Sequence, residues 1–154
     1  EPMFVVRDLP AHLTPEQKHE GKDMLACYLC KKQVQLSHMR SHVGHHILCS
    51  QRLLVDPECA EEIGPEPRGF CGCEGCVTSV PANKTGNPAI TSSCGYHYVN
   101  MRFLHAKVSM DTNHSSNVPI NCPLCPPSRL HFQRTIWKYN AALHVEREHG
   151  QGWF

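Results

Sequence analysis

Two pairs of cysteines, each followed by a pair of histidines, are the residues of this chain best suited to chemistry. The spacing is Cys-x2-Cys-x11-His-x3-His in the first half and Cys-x2-Cys-x18-His-x4-His near the C-terminus. Zinc prefers four such ligands in a tetrahedron; one turn presents two thiolates, and histidines four residues apart share a helix face. The sequence predicts two zinc sites, with the ligands Cys27, Cys30, His42 and His46, and Cys122, Cys125, His144 and His149.

The first site has an alternative histidine pair. His38 and His42 have the same helical spacing, but only seven residues would then separate Cys30 from the first histidine. We favour His42 and His46, because the usual gap in two-Cys/two-His fingers is about twelve residues. His38 and His45 are then expected on the surface.

A third cluster of potential ligands lies in the middle of the chain. It contains the run Cys71-Gly-Cys-Glu-Gly-Cys76 and the run Cys94-Gly-Tyr-His97. We expect Cys71, Cys76, Cys94 and His97 to hold a third zinc ion, with Cys73 as the chief competitor for a ligand position. The same pattern leaves Cys49 and Cys59 unassigned.

The composition favours metal over disulfides as the stabilising element. The chain has 154 residues with 10 Cys, 12 His, 12 Pro and 10 Gly, and few long apolar periodic segments. Secreted disulfide scaffolds are typically shorter, and they need no histidines at fixed distances from cysteine pairs. A structural zinc ion supplies about 10–16 kcal/mol of apparent binding energy, which replaces part of a core. We therefore expect a reducing compartment, and no apolar run approaches the length of a membrane span.

The elements that must position these ligands divide the chain into four segments. Residues 1–24 form an N-terminal segment with a short helix over 15–22, and residues 25–55 form the first finger with a helix over 37–54. Residues 56–118 form a Cys-rich middle module, and residues 119–154 form the last finger.

Short strands and loops are expected outside the first helix. In the middle module we predict strands over 76–80 and 96–104, a short helix near 101–109, and a loop over 81–92. The last finger is predicted to contain a helix over 135–148. The fold class is thus small α+β and dominated by metal. It has ββα-like first and last lobes around an irregular, strand-poor middle module that zinc binding holds together.

Several of these motifs together resemble a known group of sequences. They are the run Leu36–Leu48, the Gly69-Phe-Cys-Gly72 element, the Cys94-Gly-Tyr96 element, the run Asn117–Cys125 and the run Trp137-Lys-Tyr-Asn140. Over about residues 25–150 the chain resembles Cys/His-rich zinc-finger regions of uncharacterised proteins from mushroom-forming fungi. The resemblance implies zinc and a nuclear or mobile-element setting, and it implies no reaction. The chain has Arg68, and Ser115 with Ser116, at two positions where those regions carry cysteine.

DNA is the partner that the first finger favours. In a finger docked through its helix, the base-reading residues lie one, four and seven positions before the first histidine ligand, which here are Ser41, His38 and Gln35. The basic residues beside them are Lys31, Lys32 and Arg40. The net charge of only +1 argues against strong non-specific binding, and one finger reads about three base pairs. We expect a nuclear DNA-binding module that uses other lobes or a partner as well.

A zinc-stabilised protein-interaction module is the alternative function. The near-neutral charge favours it, as does the last finger, where Leu143, Asn140 and Trp137 are a poor set for reading bases.

An enzyme is not expected. A zinc deaminase needs His-x-Glu before its cysteine pair, whereas His144-Val-Glu146 follows Cys122 and Cys125; a His/Asn/His nuclease would need His144, which zinc already uses. No membrane or small-molecule substrate is expected.

Overall fold

The computed structural model describes residues 20–80, 90–98, 106, 114–126 and 135–150. Within these ranges, two helices with both ends described and three antiparallel strand pairs make a small α+β fold, which confirms the α+β part of the expected class. No helix in this part of the chain is both long and apolar enough to cross a bilayer. The predicted helix over 15–22 falls mostly outside the described residues, and residues 20–22 are not helical.

The first lobe is a hairpin followed directly by a helix. Strand β1 (Met24–Ala26) pairs with β2 (Gln33–Gln35), and helix α1 (Leu36–Gln51) begins at the next residue. Apolar residues recur at three- and four-residue steps along α1 and bury one face of it. That face consists of Leu36, Met39, Val43 and Ile47.

Helix α1 ends three residues earlier than the sequence predicts. Leu53 adopts a left-handed backbone with φ 54°, and the Leu54 N–H donates to the Cys49 carbonyl at 2.8 Å. This closure satisfies a terminal carbonyl that the helix would otherwise leave without a partner. The local turn therefore ends the helix.

The described part of the middle segment contributes one short hairpin. Strand β3 (Thr78–Ser79) pairs with β4 (Thr91–Ser92). The strand predicted over 76–80 is confirmed at its central residues, whereas the predicted loop over 81–92 is wrong at residues 91–92. The strand predicted over 96–104 and the helix predicted near 101–109 lie largely outside the described residues; Ala106 among them is helical and buried.

The last lobe repeats the hairpin-helix order of the first. Strand β5 (Pro119–Asn121) pairs with β6 (Thr135–Trp137), a 3-10 turn covers Lys138–Asn140, and helix α2 (Ala141–His149) follows. The helix predicted over 135–148 is therefore wrong in its first six residues. Branched Thr135 and Ile136 with Trp137 form a strand instead, because pairing with β5 buries Ile136 and Trp137.

One continuous core joins the first lobe, the middle segment and β6. The buried face of α1 packs with Leu29, Phe70, Tyr96 and Trp137. The Phe70 and Trp137 rings meet edge to face, with centroids 4.9 Å apart. Gly69 lies against the Trp137 ring so closely that a β-carbon there would overlap it. Close packing against Trp137 thus explains the first glycine of the Gly69-Phe-Cys-Gly72 element.

Buried polar contacts also tie the middle segment to α1 and to the last lobe. The Arg40 guanidinium donates to the Ser115 and Asn117 carbonyls at 2.8 and 2.7 Å. The Asn140 side chain donates to the Pro67 carbonyl at 2.9 Å. Because these bonds are buried, they fix the relative placement of the lobes.

Candidate metal centres

Four predicted ligands of the first lobe meet in one group. The relevant atoms of Cys27, Cys30, His42 and His46 all lie within 4.8 Å of one another. The Cys30 Sγ is 3.1 Å from the His42 Nε2, and the two histidine Nε2 atoms are 3.3 Å apart. His38 and His45 are exposed and lie outside this group.

The hairpin and α1 each supply two of these ligands. Between β1 and β2 the Lys31 N–H donates to the Cys27 carbonyl and the Cys27 N–H to the Lys32 carbonyl, both at 2.8 Å. Lys31 takes a left-handed conformation with φ 66°, so that the chain turns tightly after Cys30. His42 and His46, four residues apart, project from one face of α1 toward this turn.

Asp56 contacts a ligand of the first group, although it is not part of the Cys/His spacing pattern. Its Oδ2 is 2.5 Å from the Nδ1 of His46, and the His46 side chain is 2% exposed. Since the His46 Nε2 faces the other ligands, Nδ1 carries the proton, and this N–H donates a hydrogen bond to the Asp56 carboxylate that fixes the orientation of the ring. The Cys59 sulfur also lies within 4.8 Å of His46 and Asp56, beside the first group.

The last lobe brings its four predicted ligands together as well. The Cys122 Sγ is 3.4 Å from the His149 Nε2, and the Cys125 Sγ is 3.3 Å from the His144 Nε2 and 3.5 Å from the His149 Nε2. Both cysteines and His144 are buried, and the hairpin of β5 and β6 holds one half of the group while α2 holds the other.

The middle group contains three of the four predicted ligands. Cys71, Cys76 and Cys94 are buried, and their sulfurs lie within 4.8 Å of one another. The predicted ligand His97 is not in this group, and its ring packs against Phe70, with centroids 5.3 Å apart. Cys73 also falls outside the group, because its sulfur turns toward the Cys71 carbonyl at 3.8 Å. Among the described residues this group is therefore a three-thiol cluster.

The ligand separations can be compared with those around a zinc ion. A regular tetrahedron with Zn–S about 2.3 Å and Zn–N about 2.0–2.1 Å has edges of about 3.8 Å for S···S, 3.6 Å for S···N and 3.3 Å for N···N. The Cys71 and Cys76 sulfurs are 3.8 Å apart, and the sulfur–nitrogen distances given above run from 3.1 to 3.5 Å. The separations and the sulfur–nitrogen donor set both fit a metal of this kind.

Burial keeps several of these ligands in their neutral forms. Desolvation raises the pKa of Cys27 to about 11, and hydrogen bonding with Cys71 raises the pKa of Cys76 to about 12. Burial lowers the pKa of His42, which keeps its imidazole neutral and able to bind a cation. Without metal the two thiols are protonated near neutral pH, so a metal ion must displace their protons.

The structure separates the predicted DNA contacts into exposed and buried residues. His38 is exposed, and Gln35 and Ser41 are half-buried. Lys31 and Lys32 are exposed, but they pair with Glu61 at 3.3 Å and with Glu58 at 2.5 Å. Arg40, also predicted as a DNA contact, is only 5% exposed, and its guanidinium donates to the Ser115 and Asn117 carbonyls.

A short exposed apolar segment follows α1. Leu53, Leu54 and Val55 are 92%, 58% and 90% exposed. Sequence reasoning missed this segment, because these residues continue the apolar pattern of the helix and read as part of it. It also missed Asp56, since no Cys/His spacing points to a carboxylate.

No protein-family model, curated protein or solved structure matches this chain. The fungal zinc-finger resemblance therefore stays a prediction.

Proposed function

We propose that the chain binds zinc at its two Cys/His clusters and its three-thiol cluster and acts as a non-catalytic DNA-binding module, in keeping with a nuclear setting. Zinc is supported by the donor sets and by separations that match a tetrahedron. The non-catalytic role is supported by the first and last groups, which each supply four protein ligands and so leave no position for a substrate.

The register of α1 is the observation that carries the DNA proposal. The helix begins at Leu36, so that Gln35 immediately precedes it while His38 and Ser41 are its third and sixth residues. These are the positions from which a zinc-finger helix reads successive bases in the major groove. His38 is exposed there, and its ring nitrogens can reach the edge of a base.

The proposed surface is smaller than the sequence predicts, and its affinity should be correspondingly modest. Arg40 is buried, and the ion pairs of Lys31 and Lys32 must open before either lysine can contact a phosphate. The first amides of α1 are also occupied, because Leu36 and Ser37 donate to the Asp23 and Gly21 carbonyls. We expect few released counterions and a shallow salt dependence.

Selection of the zinc-loaded protein on a random duplex library tests this function. Recovery of a short preferred sequence, followed by its loss in His38→Ala, is the expected result. His45→Ala is the matched control, because His45 is also an exposed histidine of α1 but lies outside the base-reading positions. No retention of duplex DNA even at low salt would overturn the proposal.

Protein binding is the second candidate, and the segment Leu53–Val55 favours it. Three consecutive apolar side chains are exposed there, and Leu53 adopts a left-handed backbone conformation that is unfavourable for leucine. The two functions can be separated by substitution. Leu53→Asp should abolish a protein complex and leave DNA retention unchanged, whereas His38→Ala should have the opposite effect.

A further inference from the structure

A small cavity lies between the middle hairpin and the last lobe. Its volume is about 110 Å³. Since a buried water needs about 10–15 Å³ on this scale, the space can take several waters or one small polyatomic ion. Its described lining consists of Arg68, Cys76, Val77, Thr78, Thr135 and Trp137.

Two buried donors of this lining have no partner among the described residues. Trp137 is 1% exposed, and its indole Nε1 makes no hydrogen bond. The Nε of Arg68 is likewise buried without an acceptor. Buried polar groups are almost always paired, and both of these donors belong to residues that line the same cavity, so an occupant with acceptor atoms would supply the partners that they lack.

The other polar groups at the cavity do not supply those acceptors. The Thr135 hydroxyl donates to the Asn121 Oδ1 at 2.9 Å, and the Thr78 hydroxyl pairs with Ser92 at 2.9 Å. None of the described lining residues is acidic. If Cys76 binds a metal, it does so as a thiolate, which lowers the positive charge at the cavity. Its sulfur is then directed at the metal and is not an acceptor for either of the two donors.

From this arrangement we propose that the cavity is a binding site for a small oxyanion. Oxygen lone pairs of the ion accept from the Trp137 indole N–H and from the Arg68 guanidinium, whose positive charge makes that hydrogen bond charge-assisted. The site is independent of the DNA-binding proposal, because none of its residues lies on α1.

A single-tryptophan variant provides a direct test. The chain has two tryptophans, so Trp153→Phe leaves the Trp137 indole N–H as the one such resonance in a proton–nitrogen spectrum. We expect sulfate, added to the zinc-loaded protein at constant ionic strength, to shift this resonance saturably. Chloride should not shift it, and an acetate titration distinguishes a tetrahedral ion from a planar carboxylate as the preferred ligand.

Substitution of Arg68 completes the test. Arg68→Met removes the charge and the donors but keeps the length of the side chain, and it should weaken sulfate binding about tenfold or more. Arg52→Met, at an exposed arginine outside the cavity, is the control and should leave binding unchanged. An indole resonance that sulfate and acetate leave in place would show that only water fills the cavity. Equal sulfate binding by Arg68→Met and the wild type would show that Arg68 does not hold the ion, and either result would overturn the proposal.

Discussion

The Asp56 carboxylate lies 2.5 Å from the Nδ1 of His46, on the side of the ring opposite the Cys27–Cys30–His42 group. The pair is largely buried, with exposed side-chain fractions of 2% for His46 and 13% for Asp56. Asp56 therefore determines which nitrogen of His46 can bind metal, although no metal-ligand motif includes it.

Removing this carboxylate should weaken zinc binding at the first site. In Asp56→Ala the His46 ring loses its hydrogen-bond acceptor and its fixed orientation, so we expect the affinity of this site to fall about 10- to 100-fold. Competition with a chromophoric zinc chelator measures the change. Glu58→Gln is the control, since Glu58 is a nearby carboxylate that pairs with Lys32. Equal affinities of Asp56→Ala and the wild type would contradict this role.

The three-thiol cluster predicts different roles for neighbouring cysteines. Cys76→Ser should remove one zinc equivalent per chain, because a hydroxyl replaces one of three buried sulfurs. Cys73→Ser should retain the full zinc content, since the Cys73 sulfur lies outside the cluster. Elemental analysis of both purified proteins makes the comparison. Loss of zinc from Cys73→Ser alone would show that Cys73, and not Cys76, is the ligand.

His97 can be tested in the same way. His97→Phe keeps an aromatic ring beside Phe70, and we expect it to bind as much zinc as the wild type. A zinc equivalent lost from this variant would show that His97 is a ligand in solution.

Zinc binding should release protons, because the thiols of Cys27 and Cys76 are protonated before metal enters. Their pKa values of about 11 and about 12 lie above neutral pH, so the apparent zinc affinity should rise with pH. Calorimetry in buffers of different ionisation enthalpy measures the released protons. A binding heat that is independent of the buffer would contradict the prediction.

The same raised pKa values affect the stability of the metal-free fold in a defined direction. Because the folded state favours the neutral thiol, these two thiols contribute to the free energy of unfolding, and that contribution is fully present below the unfolded pKa of about 9. It should be lost as the pH rises through about 11–12. Denaturant unfolding of the metal-free protein at several pH values measures this loss.

Arg40 should contribute to stability and not to DNA contact. Arg40→Met leaves the Ser115 and Asn117 carbonyls without their donor, which should lower the free energy of unfolding by about 2 kcal/mol or more. Arg52→Met is the matched control on the exposed end of α1 and should change it by less than about 0.5 kcal/mol. Denaturant unfolding of the zinc-loaded proteins compares them; a stable Arg40→Met protein with lost DNA binding would reverse the assignment.

The sequence by itself determined the features that depend on local spacing. The cysteine pairs and the histidines that meet them follow from the two-residue gap in a turn and from the helical repeat, which are properties of short stretches of chain. The type and most of the extent of α1 follow from its apolar periodicity.

The tertiary structure decided what depends on residues far apart in the chain. Trp137 is in a strand because β5 pairs with β6, and His97 faces Phe70 because the middle segment packs onto the common core. Arg40 can be buried because carbonyls 75 and 77 residues away accept hydrogen bonds from its guanidinium. Asp56 reaches His46 because the chain turns back after Leu53. Such contacts form only when the whole core closes, so no local pattern of residue types contains them.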